Sequence, residues 1–321
     1  MDAIELVKLN LLSPMVLCFV LGALAQFFRS DLKLPDGLYT ALSIYLLLAI
    51  GLKGGVALSQ FSLGDLILPI VGTVVLGSLI PVFIFAVCRG IGRLSGVDSA
   101  AIAAHYGSVS AVTFIACLTF LDAIKQEFPA FAPALVAVME IPGIVVALLM
   151  VKRASQKAGD LPHALKEIIT GKSILLLAGG MAIGALTGER GYVLVEPFFK
   201  QPFQGALCLF MIDMGLLAVA RLNEVRKVGM FIVGLGVIAP LILGVAGVFT
   251  GSICGLNVGG STILGVLAAS ASYIAAPAAV RVALPQANPS LYLTAAVGIT
   301  FPFNLAIGIP LYYSMSQSIV G

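Results

Sequence analysis

Charged residues are scarce in this chain. Asp, Glu, Lys and Arg make up 10% of its 321 residues, whereas hydrophobic residues make up 60%, and the mean hydropathy is +1.10. Soluble globular domains carry about 25% charged residues, so this composition excludes a soluble protein and predicts an integral membrane protein. Tryptophan is absent, which leaves tyrosine and phenylalanine to anchor the chain at the membrane surfaces.

The chain also lacks the motifs of common enzyme and metal sites. Its five cysteines show neither a CxxC motif nor metal-ligand spacing, and are expected to be small apolar packing residues. Neither a paired-aspartate nor a His-Glu zinc motif occurs. Thr170-Gly171-Lys172-Ser173 resembles the end of a phosphate-binding loop, but Lys166 stands where its first glycine would fall and no strand precedes it. We therefore expect no enzyme, no ATP binding and no organic cofactor.

Apolar runs of about twenty residues predict membrane-spanning helices rather than the shorter alternating strands of a barrel. The acidic start, with Asp2 and Glu5, argues against a cleaved signal peptide, so the first apolar run is predicted to be a span. Ten spans are predicted, over residues 11–28, 38–54, 66–88, 99–121, 131–151, 173–187, 202–219, 229–253, 259–281 and 290–316.

Four short patterns recur in the same order about 160 residues later. The matches are Gly22-Ala23-Leu24 with Gly184-Ala185-Leu186, Gly51-Leu52 with Gly215-Leu216, Ser108 with Ser272, and Pro142 with Pro302. Each copy holds five spans, so the second copy enters the bilayer from the opposite side, as in inverted-repeat transporters. The expected fold is an all-α membrane protein with ten transmembrane helices in two inverted five-helix repeats, residues 1–160 and 161–321.

Basic residues are distributed unevenly between the two sides of this predicted topology. Thirteen of the 18 Lys and Arg residues fall in alternate loops on one side, and five fall on the other. The positive-inside rule then places both termini outside, and the loop at 152–172 in the cytoplasm, for a multi-pass protein of the plasma (inner) membrane. The net charge of +3 reflects this topology and gives no reason to expect nucleic acid as a partner.

The fourth and ninth spans carry residues that weaken a helix at membrane depth. The fourth contains His105-Tyr106-Gly107-Ser108-Val109-Ser110, and the ninth contains Ser270-Ala271-Ser272-Tyr273-Ile274-Ala275-Ala276-Pro277. Gly107 supplies backbone freedom, serine can cap a new helical start, and proline suits the first position of a helix. Two crossed broken helices would aim the positive ends of their second halves at one point, which suits a small anion. The predicted substrate-binding residues are Gly107, Ser108, Val109, Ser110, Thr113, Ser270, Ser272, Tyr273, Ala275 and Ala276.

Other roles for these residues are open. Small and hydroxyl-bearing residues in membrane helices commonly mediate close packing, although the matched depths of Ser108 and Ser272 favour a shared site. His105 is either a proton relay or a residue hydrogen-bonded within the bundle. No Lys or Arg falls in the two broken stretches, and a site without such a cation would release its anion readily enough for turnover.

Two carboxylates lie at membrane depth. Glu140 and Thr300 hold corresponding positions in the two predicted repeats, which places them beside each other. Asn304 follows Thr300 by one helical turn. A carboxylate among neutral oxygens suits a hard cation, so Glu140, Thr300 and Asn304 are the predicted Na⁺ site. The alternative is that Glu140 stays protonated or pairs structurally, and a structural role is favoured for Asp213.

At these residues the chain resembles the sodium-dependent bicarbonate transporter family known from cyanobacteria. The matching stretches run in family order along nearly the whole chain, at residues 50–55, 107–110, 139–142, 222–228 and 268–290. The resemblance implies a core domain, of spans 3–5 and 8–10, that moves by an elevator motion against a gate domain of spans 1, 2, 6 and 7. It also implies a homotrimer, and binding of bicarbonate and Na⁺ where spans 4 and 9 cross.

Three departures from that family bear on function. Tyr273 stands where the family tends to have an aspartate, and Asn304 replaces a small apolar residue. The cytoplasmic loop between the two copies is shorter, which argues against binding of the family's PII-like regulatory partner there.

The expected function is Na⁺-coupled import of bicarbonate or a similar small monovalent anion. Carrying one negative charge inward against an inside-negative potential costs about 2.3 kcal/mol per 100 mV, and one co-transported Na⁺ cancels that cost. One alternative is a proton-coupled or exchange transporter of a small organic anion, with His105 or Glu140 carrying the proton. Another is a channel or a transport-inactive membrane sensor.

Overall fold

The computed structural model describes residues 3–58, 63–154, 166, 169–222 and 229–321. Every regular element in those parts of the chain is helical, as the sequence predicts. The repeat boundary at residue 160, part of the 152–172 loop and residues 223–228 lie outside the described residues. The helices are α1 (Ala3–Leu11), α2 (Pro14–Phe27), α3 (Asp36–Leu58), α4 (Leu63–Gly90), α5 (Gly96–Gly107), α6 (Ala111–Ala123), α7 (Ala132–Ala154), α8 (Lys172–Phe199), α9 (Phe203–Leu222), α10 (Met230–Ile253), α11 (Val258–Ala269), α12 (Ala275–Ala283) and α13 (Pro289–Val320).

Seven segments of the described chain are long and apolar enough to cross a membrane: α3, α4, the pair α5–α6, α7, α9, α10 and α13. Helices α1 and α2 pass the same test together but are bent by 62° relative to each other. Helix α8 coincides with the predicted sixth span, and the shorter α11 and α12 coincide with the ninth. Each predicted span therefore overlaps a helix, while the number of ten crossings stays a prediction.

Helix α8 runs to Phe199, whereas the sequence predicts an end at 187. Gly188 lies inside it with φ 59° and ψ −162°, which is outside the helical range and marks a kink. Glycine adopts this conformation because it has no Cβ to clash with the backbone. The apolar run stops at the kink, since the charged Glu189 and Arg190 follow, so the hydropathy pattern does not reveal the second half of the helix.

The repeated glycines lie where two pairs of helices touch. Gly22 of α2 lies against the backbone of α9, and Gly215 of α9 lies against the backbone of α2. In the same way, Gly51 of α3 and Gly184 of α8 each lie against the backbone of the other helix. Small residues permit such close contact in a membrane, where packing holds helices together. Because α2 corresponds to α8 and α3 to α9 in the predicted repeat, the two crossings are equivalent positions of that repeat.

A second group of helices surrounds the two broken spans. Helix α5 packs against α4 and α7, with Gly107 touching Gly143, and α11 packs against α10 and α13. Helix α13 contains two π-helical segments, Thr294–Thr300 and Asn304–Gly308. Irregular backbone at membrane depth is tolerated only inside protein or beside a cavity. This packing therefore permits both spans to be interrupted.

Gly215→Ala is expected to destabilise the protein, because the added Cβ would collide with the Phe19 carbonyl oxygen. Overpacking of this kind costs about 1–3 kcal/mol. Gly205→Ala on the same helix is the matched control, since nothing lies within 4 Å of a Cβ added there. Thermal unfolding of the purified protein in detergent measures the difference. Equal melting temperatures for the two variants would contradict the close crossing of α2 and α9.

Candidate functional site

Both spans that the sequence predicts to be broken are interrupted. The fourth span changes from α5 to α6 at residues 108–110, and the ninth changes from α11 to α12 at residues 270–274. Residues 108–110 and 270–273 are all buried. Buried amides and carbonyls in non-helical backbone need partners from elsewhere in the protein.

Two hydrogen bonds join the interruptions and supply such partners. The Ser272 amide donates to the His105 carbonyl oxygen at 2.7 Å. The Ser110 amide donates to Ser270 Oγ at 2.9 Å, and Ser270 Oγ donates in turn to the Leu267 carbonyl oxygen at 2.8 Å. Each break thus satisfies backbone groups of the other, and the two spans cross at this point.

Serine oxygens also cap the second half of each broken span. Ser110 Oγ accepts a hydrogen bond from the Thr113 amide at 3.2 Å. Ser272 Oγ accepts from the amides of Ala275 and Ala276 at 3.3 Å. The hydroxyl hydrogens of Ser110 and Ser272 donate to no protein group in the described structure, so they are free to donate to an anion. The sequence predicts that serine hydroxyls and backbone amides hold the anion together, but serine oxygens already engage several of those amides.

Four buried polar atoms at the crossing have no hydrogen-bond partner among the described residues. They are His105 Nε2, Ser108 Oγ, Thr113 Oγ1 and the Tyr273 hydroxyl. A buried polar group without a partner costs about 1–3 kcal/mol, so native proteins keep few of them without a ligand, a water or a function to explain them. A fifth such atom, Ser99 Oγ, lies near the start of α5. Four of these five atoms lie at the crossing, which makes it the candidate site.

A small cavity lies beside the crossing. Its volume is about 10 Å³, which admits about one water molecule or a bare ion. Val109, Ala111 and Ile274 supply the apolar part of its lining. The polar part consists of four hydroxyl-bearing residues and one carboxylate, which are Ser110, Ser173, Ser272, Tyr273 and Glu140.

Glu140 of α7 is the carboxylate of this cavity. The residue is 3% exposed, and it makes no hydrogen bond or ion pair within the described part of the chain. The close contact of Gly143 with Gly107 brings α7 against the first interruption and places Glu140 beside it. A buried carboxylate repels an anion in the same cavity unless a cation or a proton neutralises it.

Thr300 and Asn304, which the sequence predicts as further Na⁺ ligands, lie elsewhere. Thr300 Oγ1 is hydrogen-bonded with the Tyr106 hydroxyl at 2.7 Å and donates to a backbone carbonyl of α10 at 2.9 Å. Asn304 Nδ2 donates to the Ala269 carbonyl oxygen at 2.8 Å, and its Oδ1 accepts from Tyr312 at 3.2 Å. Neither residue lines the cavity with Glu140. Asn304 instead satisfies the last carbonyl of α11.

The other predicted site residues are divided between several positions. Val109, Ser110, Ser272 and Tyr273 line the small cavity, as described above. The His105 ring stacks on Tyr292 with 4.3 Å between ring centres, and its Nδ1 lies 2.7 Å from the Ala101 carbonyl oxygen. Gly107 packs on α7, as noted for the fold. Residues outside the lining of the small cavity are Gly107, Ser108, Thr113, Ser270, Ala275 and Ala276.

Ser173 is a cavity residue that the sequence analysis does not predict. It lies in the first turn of α8 and reaches the crossing from outside the two broken spans. No pattern in the sequence identifies it, because its proximity to Ser110 and Ser272 depends on how α8 packs beside the second group of helices.

A vestibule of about 510 Å³ adjoins the small cavity. Lys172 and Arg281 line it, and no acidic residue belongs to its described lining. Both basic residues fall on the side that the positive-inside rule predicts to be cytoplasmic. Ser173, Tyr273 and Ile274 line both spaces, so the vestibule and the small cavity adjoin at these three residues.

Comparison with protein families identifies the group to which the chain is related. A family model described as the Na⁺-dependent bicarbonate transporter superfamily matches residues 14–317, nearly the whole chain. A search of curated proteins finds no match. The family match confirms the resemblance seen in the sequence, and together with the apolar helices it makes this a multi-pass membrane protein of a transporter family. The chain belongs to the Na⁺-dependent bicarbonate transporter superfamily.

Proposed function

We propose that this protein is a Na⁺-coupled symporter that imports bicarbonate or a similar small monovalent anion. The observation that carries the proposal is the small cavity at the crossing. Two serine hydroxyls that are free to donate hydrogen bonds and one carboxylate without a partner face the same space there. Anion donors and a cation ligand are thus combined in one buried site.

Ser110 and Ser272 hold the anion in this proposal. Each oxygen accepts hydrogen bonds from the backbone, which orients the hydroxyl, and each hydrogen remains for an anion oxygen. Neutral donors bind an oxyanion less tightly than an ammonium or guanidinium group does. No Lys or Arg among the described residues lines the cavity, so the anion can leave as well as enter.

Glu140 binds Na⁺ in the same cavity. A hard cation prefers oxygen ligands, and the hydroxyl oxygens around Glu140 supply further ones. With Na⁺ present, the carboxylate no longer repels the anion, and the two ions attract each other where water does not screen them. Binding of either ion therefore favours binding of the other. The same Na⁺ offsets the cost of moving a negative charge inward, about 2.3 kcal/mol per 100 mV.

Transport requires the site to open alternately to the two sides. We assign α2, α3, α8 and α9 to a gate domain and the remaining membrane helices to a core domain that moves by an elevator motion. The equivalent glycine crossings of the gate helices support this assignment, as does a cavity whose lining combines Ser173 of α8 with residues of the core. A cavity of about 10 Å³ is smaller than bicarbonate, so the site must widen from this conformation before the anion binds. Both termini lie outside, and the assembly is a homotrimer.

A proton-coupled carrier is the second candidate, and Glu140 is the observation that favours it. The carboxyl group has no partner in the described structure, so a proton would neutralise it as effectively as Na⁺. His105 is a weaker candidate for the proton, because it stacks on Tyr292 outside the cavity lining.

Purified protein in liposomes is expected to take up labelled bicarbonate when an inward Na⁺ gradient is imposed, and not when K⁺ replaces Na⁺. Nitrite, formate and acetate as competitors then establish which small oxyanions the site accepts. Uptake driven by a pH gradient alone would indicate the proton-coupled carrier. Flux that depends on neither the Na⁺ gradient nor the pH gradient would indicate a channel, and absence of flux for every anion would indicate a sensor.

Glu140→Gln is expected to lower Na⁺-driven uptake about tenfold or more, because a neutral amide loses the charge-assisted contact with Na⁺, worth about 1.5–3 kcal/mol. Asp213→Asn is the matched control, since Asp213 lines a different pocket on α9. Uptake rates at varied Na⁺ concentration measure the effect. If the Gln variant instead binds the anion normally and independently of pH and Na⁺, Glu140 carries a proton.

Ser110→Ala is expected to raise the KM for the anion about tenfold, because a hydrogen bond to a charged group contributes about 1.5–3 kcal/mol. Ser108→Ala is expected to have a smaller effect, since Ser108 lies outside the cavity lining. Ser78→Ala is the control, because the Ser78 hydroxyl bonds to the Val74 carbonyl within α4. Anion-dependent uptake measures all three, and an unchanged KM in Ser110→Ala would remove this serine from the site.

A further inference from the structure

Three residues form the wall between the small cavity and the vestibule. Ser173, Tyr273 and Ile274 line both spaces, which have volumes of about 10 Å³ and about 510 Å³. An ion that leaves the small cavity towards the vestibule must therefore displace part of this wall. This inference rests on the proposed function, in which the small cavity holds the transported ions.

Tyr273 supplies most of the bulk of the wall. Serine is small, and Ile274 also packs into a separate apolar space beside α3. The Tyr273 ring lies edge-on to Phe301 with 5.7 Å between ring centres, and the residue is 9% exposed. It lies in the non-helical stretch between α11 and α12, so its side chain can turn without unwinding either helix.

The Tyr273 hydroxyl is a polar group without an established role. It lies near the Ser110 side chain but lacks hydrogen-bond geometry to it, and it has no other partner among the described residues. A phenol is neutral and can donate one hydrogen bond to an anion. A hydroxyl at the edge of the cavity therefore suits an anion that passes from Ser110 towards the vestibule.

The charge of the vestibule is consistent with such a passage. Lys172 and Arg281 line it, without an acidic residue in the described lining. Arg281 adjoins the Tyr292 hydroxyl, and Lys172 lies over the Tyr39 ring at 5.7 Å from its centre. An anion that passes Tyr273 enters a space whose described lining carries two basic residues and attracts it.

We propose that Tyr273 is the barrier between the small cavity and the vestibule, and that its hydroxyl selects for the anion that passes. The ring and the hydroxyl have separate tasks. The ring closes the cavity towards the vestibule until it turns aside, and the hydroxyl replaces one hydrogen bond of water as the anion moves past it. Tyr273→Ala removes both groups, whereas Tyr273→Phe removes the hydroxyl alone.

Cysteine accessibility tests the barrier without requiring transport. Val109 lines the small cavity but not the vestibule, so Val109→Cys in a background with the five native cysteines replaced by alanine reports access to the cavity. A thiol reacts only where the reagent reaches it, and the small anionic reagent methanethiosulfonate ethylsulfonate is the probe. Tyr273→Ala is expected to raise the reaction rate about tenfold or more, because the reagent then reaches the thiol.

The control variants distinguish removal of the barrier from a general loosening of the protein structure. Tyr273→Phe is expected to react at the rate of the parent protein, and so is Tyr39→Ala, because Tyr39 lines the vestibule but not the small cavity. An unchanged rate in Tyr273→Ala, or an equal rise in Tyr39→Ala, overturns the proposal. Size-exclusion profiles verify folding. If the alanine variant does not fold, Tyr273→Leu replaces it, because leucine keeps apolar contact with Phe301 but is shorter.

Transport measurements test the hydroxyl. Tyr273→Phe is expected to raise the KM for bicarbonate severalfold and to leave the Na⁺ dependence of uptake unchanged, whereas Tyr273→Ala is expected to permit flux without Na⁺. An unchanged KM in Tyr273→Phe overturns the selective role of the hydroxyl. If no variant carries bicarbonate but the accessibility pattern holds, the barrier stands and the proposed transport function fails.

Discussion

Backbone amides and carbonyls inside a bilayer must find partners within the protein, and two hydrogen bonds between the interruptions meet that requirement here. The Ser272 amide bonds to the His105 carbonyl, and the Ser110 amide bonds to Ser270. Without these bonds each break would leave unpaired backbone in a membrane span. With them, two non-helical stretches are held together at depth, and their side chains and that of Glu140 share one cavity.

The chemistry of the site depends on which polar groups are already engaged in hydrogen bonds and which are not. The serine oxygens accept from the backbone, so their hydrogens remain for an anion, whereas Glu140 remains without a partner in the described structure. The cavity thus places neutral hydroxyl donors beside one carboxyl group. Lys172 and Arg281 lie outside it, in the vestibule, and in the proposed function they attract an anion without holding it in the binding site.

Glycine permits the close helix contacts on which the site depends. Gly107 and Gly143 let α7 approach the first interruption, and this contact places Glu140 in the cavity. Gly51 and Gly184 bring α3 and α8 together in the same manner, and Ser173 at the start of α8 lines the cavity with residues of the broken spans. In a membrane, where lipid is as apolar as the helices, such packing replaces the hydrophobic effect as the source of association.

The order of the amino acids was enough to predict the helical class, a helix at each predicted span and the two breaks, because these depend on local hydropathy and on glycine, serine and proline. It was also enough to identify the family, through motifs spread along the chain. Which residues line the cavity could not be predicted in this way. Ser173 enters it from a distant helix, whereas Thr300 and Asn304 bond to Tyr106 and Ala269 instead. Such pairings depend on how helices rotate and cross, and that geometry arises from packing across the whole bundle rather than from any local pattern.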